Sequence, residues 1–255
     1  MKKILLALAI FAAGSQTVLA SDDLKAAIAN PQRSPENVVR DGARHPYETL
    51  KFFGVDAKST VVELAPGGGW YTEILAPYVR KDGKLILAGA GARLKTKLEA
   101  MPAVYDKAVY GDFAPGKKID YAPKNSVDVV LTFRNVHNWI AINDSAVKDV
   151  FQSAFDALKP GGVFGVVEHR LPSGMTQDAK ASTGYVHEAF IIQLAESVGF
   201  KLAAKSEVNA NAKDDANHEG GVWALPPVLA NKDKDKEKYT AIGESDRMTL
   251  KFVKP

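Results

Sequence analysis

The chain has 255 residues, of which 46% are hydrophobic and 25% charged, with no internal repeat, a length and make-up that suit one α/β domain with extensions. It contains no cysteine, so neither disulfides nor thiolate chemistry can operate. Its 33 Lys and Arg stand against 30 Asp and Glu, and a cleaved leader would take Lys2 and Lys3 and leave 31, so no basic patch argues for nucleic acid or an anionic membrane.

The first residues read as a sorting signal. Lys2 and Lys3 form a basic start, Ile4–Ala13 an apolar core, and Val18-Leu19-Ala20 a small-residue cleavage site before Ser21. The apolar run is short for a membrane span, although an uncleaved anchor is the alternative. No cysteine follows the cleavage point, which argues against a lipoprotein. The expectation is an exported protein, periplasmic or secreted, released by cleavage after Ala20 and without a stable membrane anchor.

Residues 21–54 read as a helical extension. Ser21–Asn30 forms a short exposed helix ended by Pro31, and Ser34-Pro35-Glu36 is an N-cap with proline at the first helical position. Helical pattern continues toward Tyr47–Phe53, where Tyr47, Leu50, Phe52 and Phe53 offer an apolar face. Asp41, Arg44 and His45 fall in an interruption that reads as a solvated connection, with a ligand entrance as the other reading.

The stretch Thr60–Val79, TVVELAPGGGWYTEILAPYV, organises the rest, which runs from 55 to 255 as one α/β domain with a C-terminal extension over 209–255. Val61, Val62 and Leu64 have the composition of a buried parallel strand. The chain then turns through Pro66-Gly67-Gly68-Gly69 into a helix, which brings bare backbone N–H groups and a positive dipole end to one point. Glycines there let a ligand approach, because no Cβ stands in the way. Glu63 is costly inside such a strand unless a cationic or hydroxyl-bearing group pairs with it. A dinucleotide fingerprint wants a third glycine where Thr72 stands, and a Walker loop wants a lysine that does not follow Gly69. A glycine turn without any ligand is the remaining alternative.

Strand and helix signals then alternate, the signature of a parallel sheet. Lys84–Ala88 is a strand, Ala92–Ala100 a helix, Ala108–Tyr110 a brief strand, and Val127–Phe133 a strand apolar apart from Asp128. Asp144–Leu158 is an amphipathic helix stopped by Lys159-Pro160-Gly161-Gly162, and Val163–Glu168 a strand. Tyr185–Val198 is a helix and Phe200–Val208 a strand. Asn209–Gly221 reads as a mobile loop, Trp223–Pro227 as a proline-rich piece, Asn231–Lys238 as a charged helix or loop, and Met248–Val253 as the last strand.

The run Glu63-Leu-Ala-Pro-Gly-Gly-Gly-Trp-Tyr-Thr72 resembles motif I of class I S-adenosylmethionine-dependent methyltransferases. Ser126–Leu131 followed by Asn135-Val136-His137-Asn138-Trp139 resembles motif IV of that superfamily, Leu158–Gly162 its "LKPGG" turn, and Gly111-Asp112-Phe113 its adenine-contacting acidic turn. Together these span roughly Val55–Val208. With the leader and the tail Gly243–Leu250, the whole chain resembles a group of exported bacterial predicted methyltransferases. The resemblance implies a Rossmann-like α/β fold, with a mostly parallel seven-stranded sheet, an antiparallel last strand and helices on both faces. It implies S-adenosyl-L-methionine as cofactor, held by Glu63, Ala65, Gly67, Gly68, Gly69, Tyr71, Asp112, Phe113, Arg134 and Asn135, and a small-molecule acceptor. One departure stands out: the second strand ends Leu87-Ala88-Gly89-Ala90-Gly91, with no acid where the family places a ribose-binding carboxylate.

Methyl transfer from a sulfonium relies on positioning and exclusion of water, and a base is needed only for a poorly acidic acceptor. His137, just past the fourth strand, is the first candidate base, and His169, between Glu168 and Arg170, the second; each has a structural reading, as a hydrogen-bonded loop histidine and as a surface histidine beside an ion pair. His187-Glu188 could face an acceptor or simply begin a helix, and Asp246-Arg247 could close over the site or form an ordinary pair. Trp70, Trp139 and Trp223 could stack a ligand or pack into the core. No G-x-S-x-G elbow and no H-E-x-x-H motif occurs, and no metal is expected. The rival to an enzyme is a periplasmic binding or interaction protein that keeps the fold without the chemistry.

Overall fold

The computed structural model describes residues 23–255; the leader-like segment lies outside the described residues. The elements are α1 (Asp23–Ile28), α2 (Pro35–Val38), α3 (Asp41–Arg44), α4 (Pro46–Phe53), β1 (Thr60–Leu64), α5 (Thr72–Val79), β2 (Lys84–Ala88), α6 (Ala92–Glu99), α7 (Pro102–Tyr105), β3 (Val109–Ala114), β4 (Lys118–Asp120) and β5 (Val127–Phe133). There follow α8 (Val136–Ile142), α9 (Asp144–Ala157), β6 (Leu158–Leu171), β7 (Val186–His187), α10 (Glu188–Ser197), β8 (Lys201–Ser206), a 3-10 turn (Gly221–Ala224), α11 (Lys236–Ile242) and β9 (Arg247–Val253).

The strands form one sheet in the order β4-β3-β2-β1-β5-β6-β9-β8, with β7 paired to β6. From β3 to β6 every pairing is parallel, and β9 inserts antiparallel to both β6 and β8. All seven expected strands are present. Two short ones are added that apolar patterning could not reveal: β4, a three-residue hairpin partner of β3, and the two-residue β7. β7 takes Val186 and His187 out of the helix expected from Tyr185, so α10 starts at Glu188. β6 in turn starts at Leu158, the Lys159–Gly162 turn being a bulge in β6 opposite β5.

Alternation along the strands builds a core on each face. Val62, Leu64, Ile86, Val130, Phe164 and Val166 pack beneath α8, α9 and α10, while Val61, Leu85, Leu87, Val129 and Leu131 pack beneath α1, α4, α5 and α6. α1 is not the exposed helix expected, because Leu24 and Ala27 are buried in this second core. Asp128, the polar residue of β5, accepts from the Thr60 N–H at 2.8 Å and from Lys159 at 2.7 Å, so it ties β1 to the β6 bulge.

The chain order reverses across β1 and β5, since β1 leads outward to β2 on one side and β5 to β6 on the other. A crevice opens beyond the carboxyl ends at such a point.

Candidate functional site

β1 ends at Leu64, and Ala65 then takes a left-handed backbone (φ 48°). Across the crevice, β5 ends at Phe133 and Arg134 takes another (φ 62°). Two non-glycine residues in this region at adjacent strand ends mark a backbone strained by about 1–3 kcal/mol per position. Asn135 bridges the two ends, donating from Nδ2 to the carbonyls of Leu64 (3.2 Å) and Ala65 (3.3 Å).

The three glycines of the turn serve different purposes. A Cβ on Gly67 or Gly68 would meet nothing within 4 Å, so both present open backbone. A Cβ on Gly69 would lie 2.5 Å from Leu94 Cδ1, so that glycine is there for the packing of α6.

Ala65, Gly67, Gly68, Arg134, Asn135, His137 and His169 line one cavity of about 360 Å³. Its other walls come from Arg40, Arg44, Trp70, Trp223 and Glu244. The remaining predicted cofactor residues lie elsewhere. Glu63 is buried and receives the Thr72 hydroxyl at 2.6 Å, so the residue that broke the dinucleotide pattern supplies the awaited partner. Burial pushes the Glu63 carboxyl up to about 8. Tyr71 is stacked on Phe133, ring centroids 3.5 Å apart. Asp112 is exposed and paired with Lys118, and Phe113 packs against Trp139 and over Gly89.

His137 Nδ1 lies 3.0 Å from Glu168 Oε1. Glu168 is fully buried and also accepts from the backbone N–H groups of Val136 (2.6 Å) and His169 (2.9 Å). A carboxylate only accepts, so Nδ1 carries a proton, and in the neutral form of the ring Nε2 is the nitrogen with the free lone pair. His169 is buried, not at the surface, with Nδ1 2.5 Å from Ser245 Oγ; burial, then Arg134 and His137, hold it well below the usual imidazole range, so it is neutral at pH 7.

Sequence reasoning missed the cationic wall. Arg44 is not in a solvated connection: it is 1% exposed and lies over the Trp70 ring, 4.7 Å from its centroid. Glu244 binds Arg40 Nε at 2.6 Å, Arg44 Nε at 3.3 Å and Arg247 Nη1 at 3.0 Å. Although burial would raise the Glu244 carboxyl, Arg44, Arg40 and Arg247 hold it down to about 2. The Arg134 backbone N–H donates to the Val167 carbonyl at 2.7 Å, but its guanidinium has no hydrogen-bond or ion-pair partner among the described residues; burial and then Arg247 lower that guanidinium to about 10, and burial and then Arg134 lower that of Arg44 to about 8. Asp246 and Arg247 do not pair with each other, since Asp246 binds Arg170 at 2.8 Å. The signal was divided between residues 40–44, 134 and 244–247, which no local pattern connects.

The C-terminal extension forms another wall. Asn209–Gly221 is not an exposed loop: Asn209, Asp214 and His218 are buried. Asp214 accepts from the Tyr185 hydroxyl (2.9 Å) and from the N–H groups of Ala216 (2.9 Å) and Asp246 (2.7 Å), and contacts His218 Nε2 at 2.7 Å. This fixes the stretch that carries Trp223, whose ring meets His137 edge-on at 6.0 Å. Trp70 and Trp139 are core residues. His187 lies on the Met175 carbonyl, outside the cavity. Among the described residues two groups have metal-compatible spacing, His137-Glu168-His169 and Asp214-Asp215-His218. The arginines oppose a cation at the first, and hydrogen bonds already engage Asp214 and His218 at the second.

No family model matches the sequence, and no curated protein matches it. Solved structures do. The [4+2]-cyclase SpnF aligns with TM-score 0.59 at 13% identity, over 84% of this chain and 80% of that one. An S-adenosylmethionine-dependent methyltransferase from Aquifex aeolicus gives 0.55 at 17%, over 74% and 93%. A structure described as a sarcosine dimethylglycine methyltransferase from Galdieria sulphuraria gives 0.56 at 16%, over 86% and 87%. The chain has the Rossmann-like methyltransferase fold. Within that fold the cavity sits at the carboxyl ends of β1, β5 and β6, beside the glycine turn.

Proposed function

We propose that the protein is an S-adenosylmethionine-dependent methyltransferase acting on a small molecule. The observation that carries this reading is the meeting of the open glycine turn and His137, backed by Glu168, at one cavity at the reversal point of the sheet. The residues fit the cofactor at its amino-acid end. Gly67 and Gly68 offer unobstructed backbone, and Arg134 has donors to spare for a carboxylate. They fit its ribose less well, since Ala88-Gly89-Ala90 carries no acid and Phe113 covers Gly89.

Bound there, the cofactor would supply an activated methyl group on sulfur. The protein's contribution is position and proton handling. Val222, Trp223, Pro226, Pro227 and Val228 wall one side of the cavity, and His137 Nε2 is placed to take a proton from an acceptor hydroxyl or ammonium while Glu168 stabilises the resulting imidazolium. Export as suggested by the Lys2–Ala20 leader belongs to the same proposal, and among the described residues no helix is long and apolar enough to cross a membrane. The lost ribose acid favours a second reading, a ligand-binding protein without methyl transfer.

Titration calorimetry of the full chain with S-adenosylmethionine and S-adenosylhomocysteine tests the proposal. Both should bind, and Gly68→Val, which fills the approach without a left-handed backbone, should weaken binding at least tenfold with unchanged circular dichroism. No binding to the wild type, or equal binding to the variant, would refute it.

A further inference from the structure

Arg40, Arg44 and Arg134 line the cavity and Arg247 adjoins them, and among the described residues Glu244 is the one carboxylate in this cluster, binding Arg40, Arg44 and Arg247. The charge is held there at a cost. The Arg134 guanidinium has no hydrogen-bond or ion-pair partner among the described residues, and buried nitrogens of three others, Arg40 Nη2, Arg44 Nη2 and Arg247 Nε, have no acceptor. Arg44 and Arg247 are themselves nearly completely buried. Buried donors left open and like charges held together are unfavourable in the free protein, and an anion placed between them satisfies both.

Glu63, which lines a small pocket together with Arg44 and Arg134, does not offset this field, because burial keeps it protonated at neutral pH. The surrounding structure fixes the cluster in place. Arg44 lies on Trp70, Arg247 donates to the Ala43 carbonyl at 2.6 Å, and the left-handed backbone at Arg134 aims it off the end of β5.

We infer that the cavity binds a small polyanion, a molecule with at least two clustered carboxylate or phosphate charges, through Arg40, Arg44 and Arg134. The volume of about 360 Å³ suits a metabolite-sized ligand. The anion's role as methyl acceptor rests on the function proposed above; its binding does not. His137, on the same wall, would then face a group of the anion and not bulk water.

Calorimetry of the full chain at low ionic strength, without cofactor, tests the inference with citrate, pyrophosphate and inorganic phosphate, and with acetate as the singly charged control. Citrate or pyrophosphate should bind saturably and at least tenfold more tightly than acetate, and the preferred one distinguishes a carboxylate from a phosphate ligand. Arg134→Gln should lose at least tenfold in affinity while its melting temperature stays level or rises, because a repulsive charge has gone. Arg40→Gln, at a partly exposed position, should also weaken binding. A purely structural role for Arg134 would instead lower the melting temperature and leave affinity unchanged. That result, or failure of both polyanions to bind the wild type, would overturn the inference. Polyanion binding without any binding of S-adenosylmethionine would uphold it while removing the proposed methyl transfer.

Discussion

Glu63 sits on β1 with the Thr72 hydroxyl as its hydrogen-bond partner, and its carboxyl is pushed up to about 8 by burial. In the unfolded chain it ionises near 4.5. Between these values the unfolded state releases a proton that the folded state keeps. Its contribution to stability is therefore fully present below about pH 4.5 and is lost as pH rises toward 8, at about 1.4 kcal/mol per pH unit. Glu63→Gln should remove that slope, so that urea unfolding finds the variant gaining on the wild type from pH 5 to pH 8. Parallel curves would contradict the burial argument. Glu168 is a different kind of acid, held by two close backbone N–H donors and by His137. Glu168→Gln sets an amide N–H₂ against one of those donors and should cost about 1–3 kcal/mol in chemical denaturation. It also removes the acceptor that fixes the His137 tautomer, so a nitrogen-15 spectrum of the imidazole should show the proton no longer confined to Nδ1.

At the level of elements, contacts that span the chain decide what local pattern cannot. Gly165, in the middle of β6, has a position where a Cβ would lie 2.8 Å from the Phe53 ring and from Leu131 Cδ2. Gly165→Ala should therefore destabilise the fold by about 1–3 kcal/mol, read as a lower denaturation midpoint, by forcing α4 off the sheet. The seven principal strands were legible because each is a short apolar run closed by a turn, and the final antiparallel insertion came with the resemblance. β4 and β7 were not, being too short and too polar to leave a period. In the site, the glycine turn and His137 were readable from one stretch each. The different duties of Gly67 and Gly69, the stacking of Tyr71 into the core and the outward position of Asp112 depend on what lies opposite, which sequence spacing does not carry. Asn209–Gly221 misled for a related reason: its Asn and Asp residues look like solvated turn formers, yet Asp214 gathers donors from Tyr185, Ala216, His218 and Asp246. Asp214→Ala should raise hydrogen exchange across 209–228 while the N–H groups of β1 and β5 stay protected. Uniform loss of protection would show that the segment is not a separable wall.

Across the whole molecule, the composition averages away the feature that matters most. Nearly balanced charges hide a cavity lined by arginines from residues 40–44 and the end of β5, with Arg247 at the start of β9 joined to them through Glu244. The fold brings these segments together because β9 lies beside β6 and the N-terminal helices pack on one face of the sheet with Arg40 and Arg44 at the cavity. Fold likeness alone does not choose the reaction, as the similarity to a [4+2]-cyclase and to methyltransferases at comparable TM-scores illustrates. The choice rests on what the glycine turn holds. A crystal structure of the full chain grown with S-adenosylhomocysteine is the most direct test. The account predicts the amino-acid end of the ligand against the Gly67 and Gly68 backbone, between Ala65 and Asn135. Ligand bound elsewhere on the chain, or none in a cavity that the lattice leaves open, would contradict it.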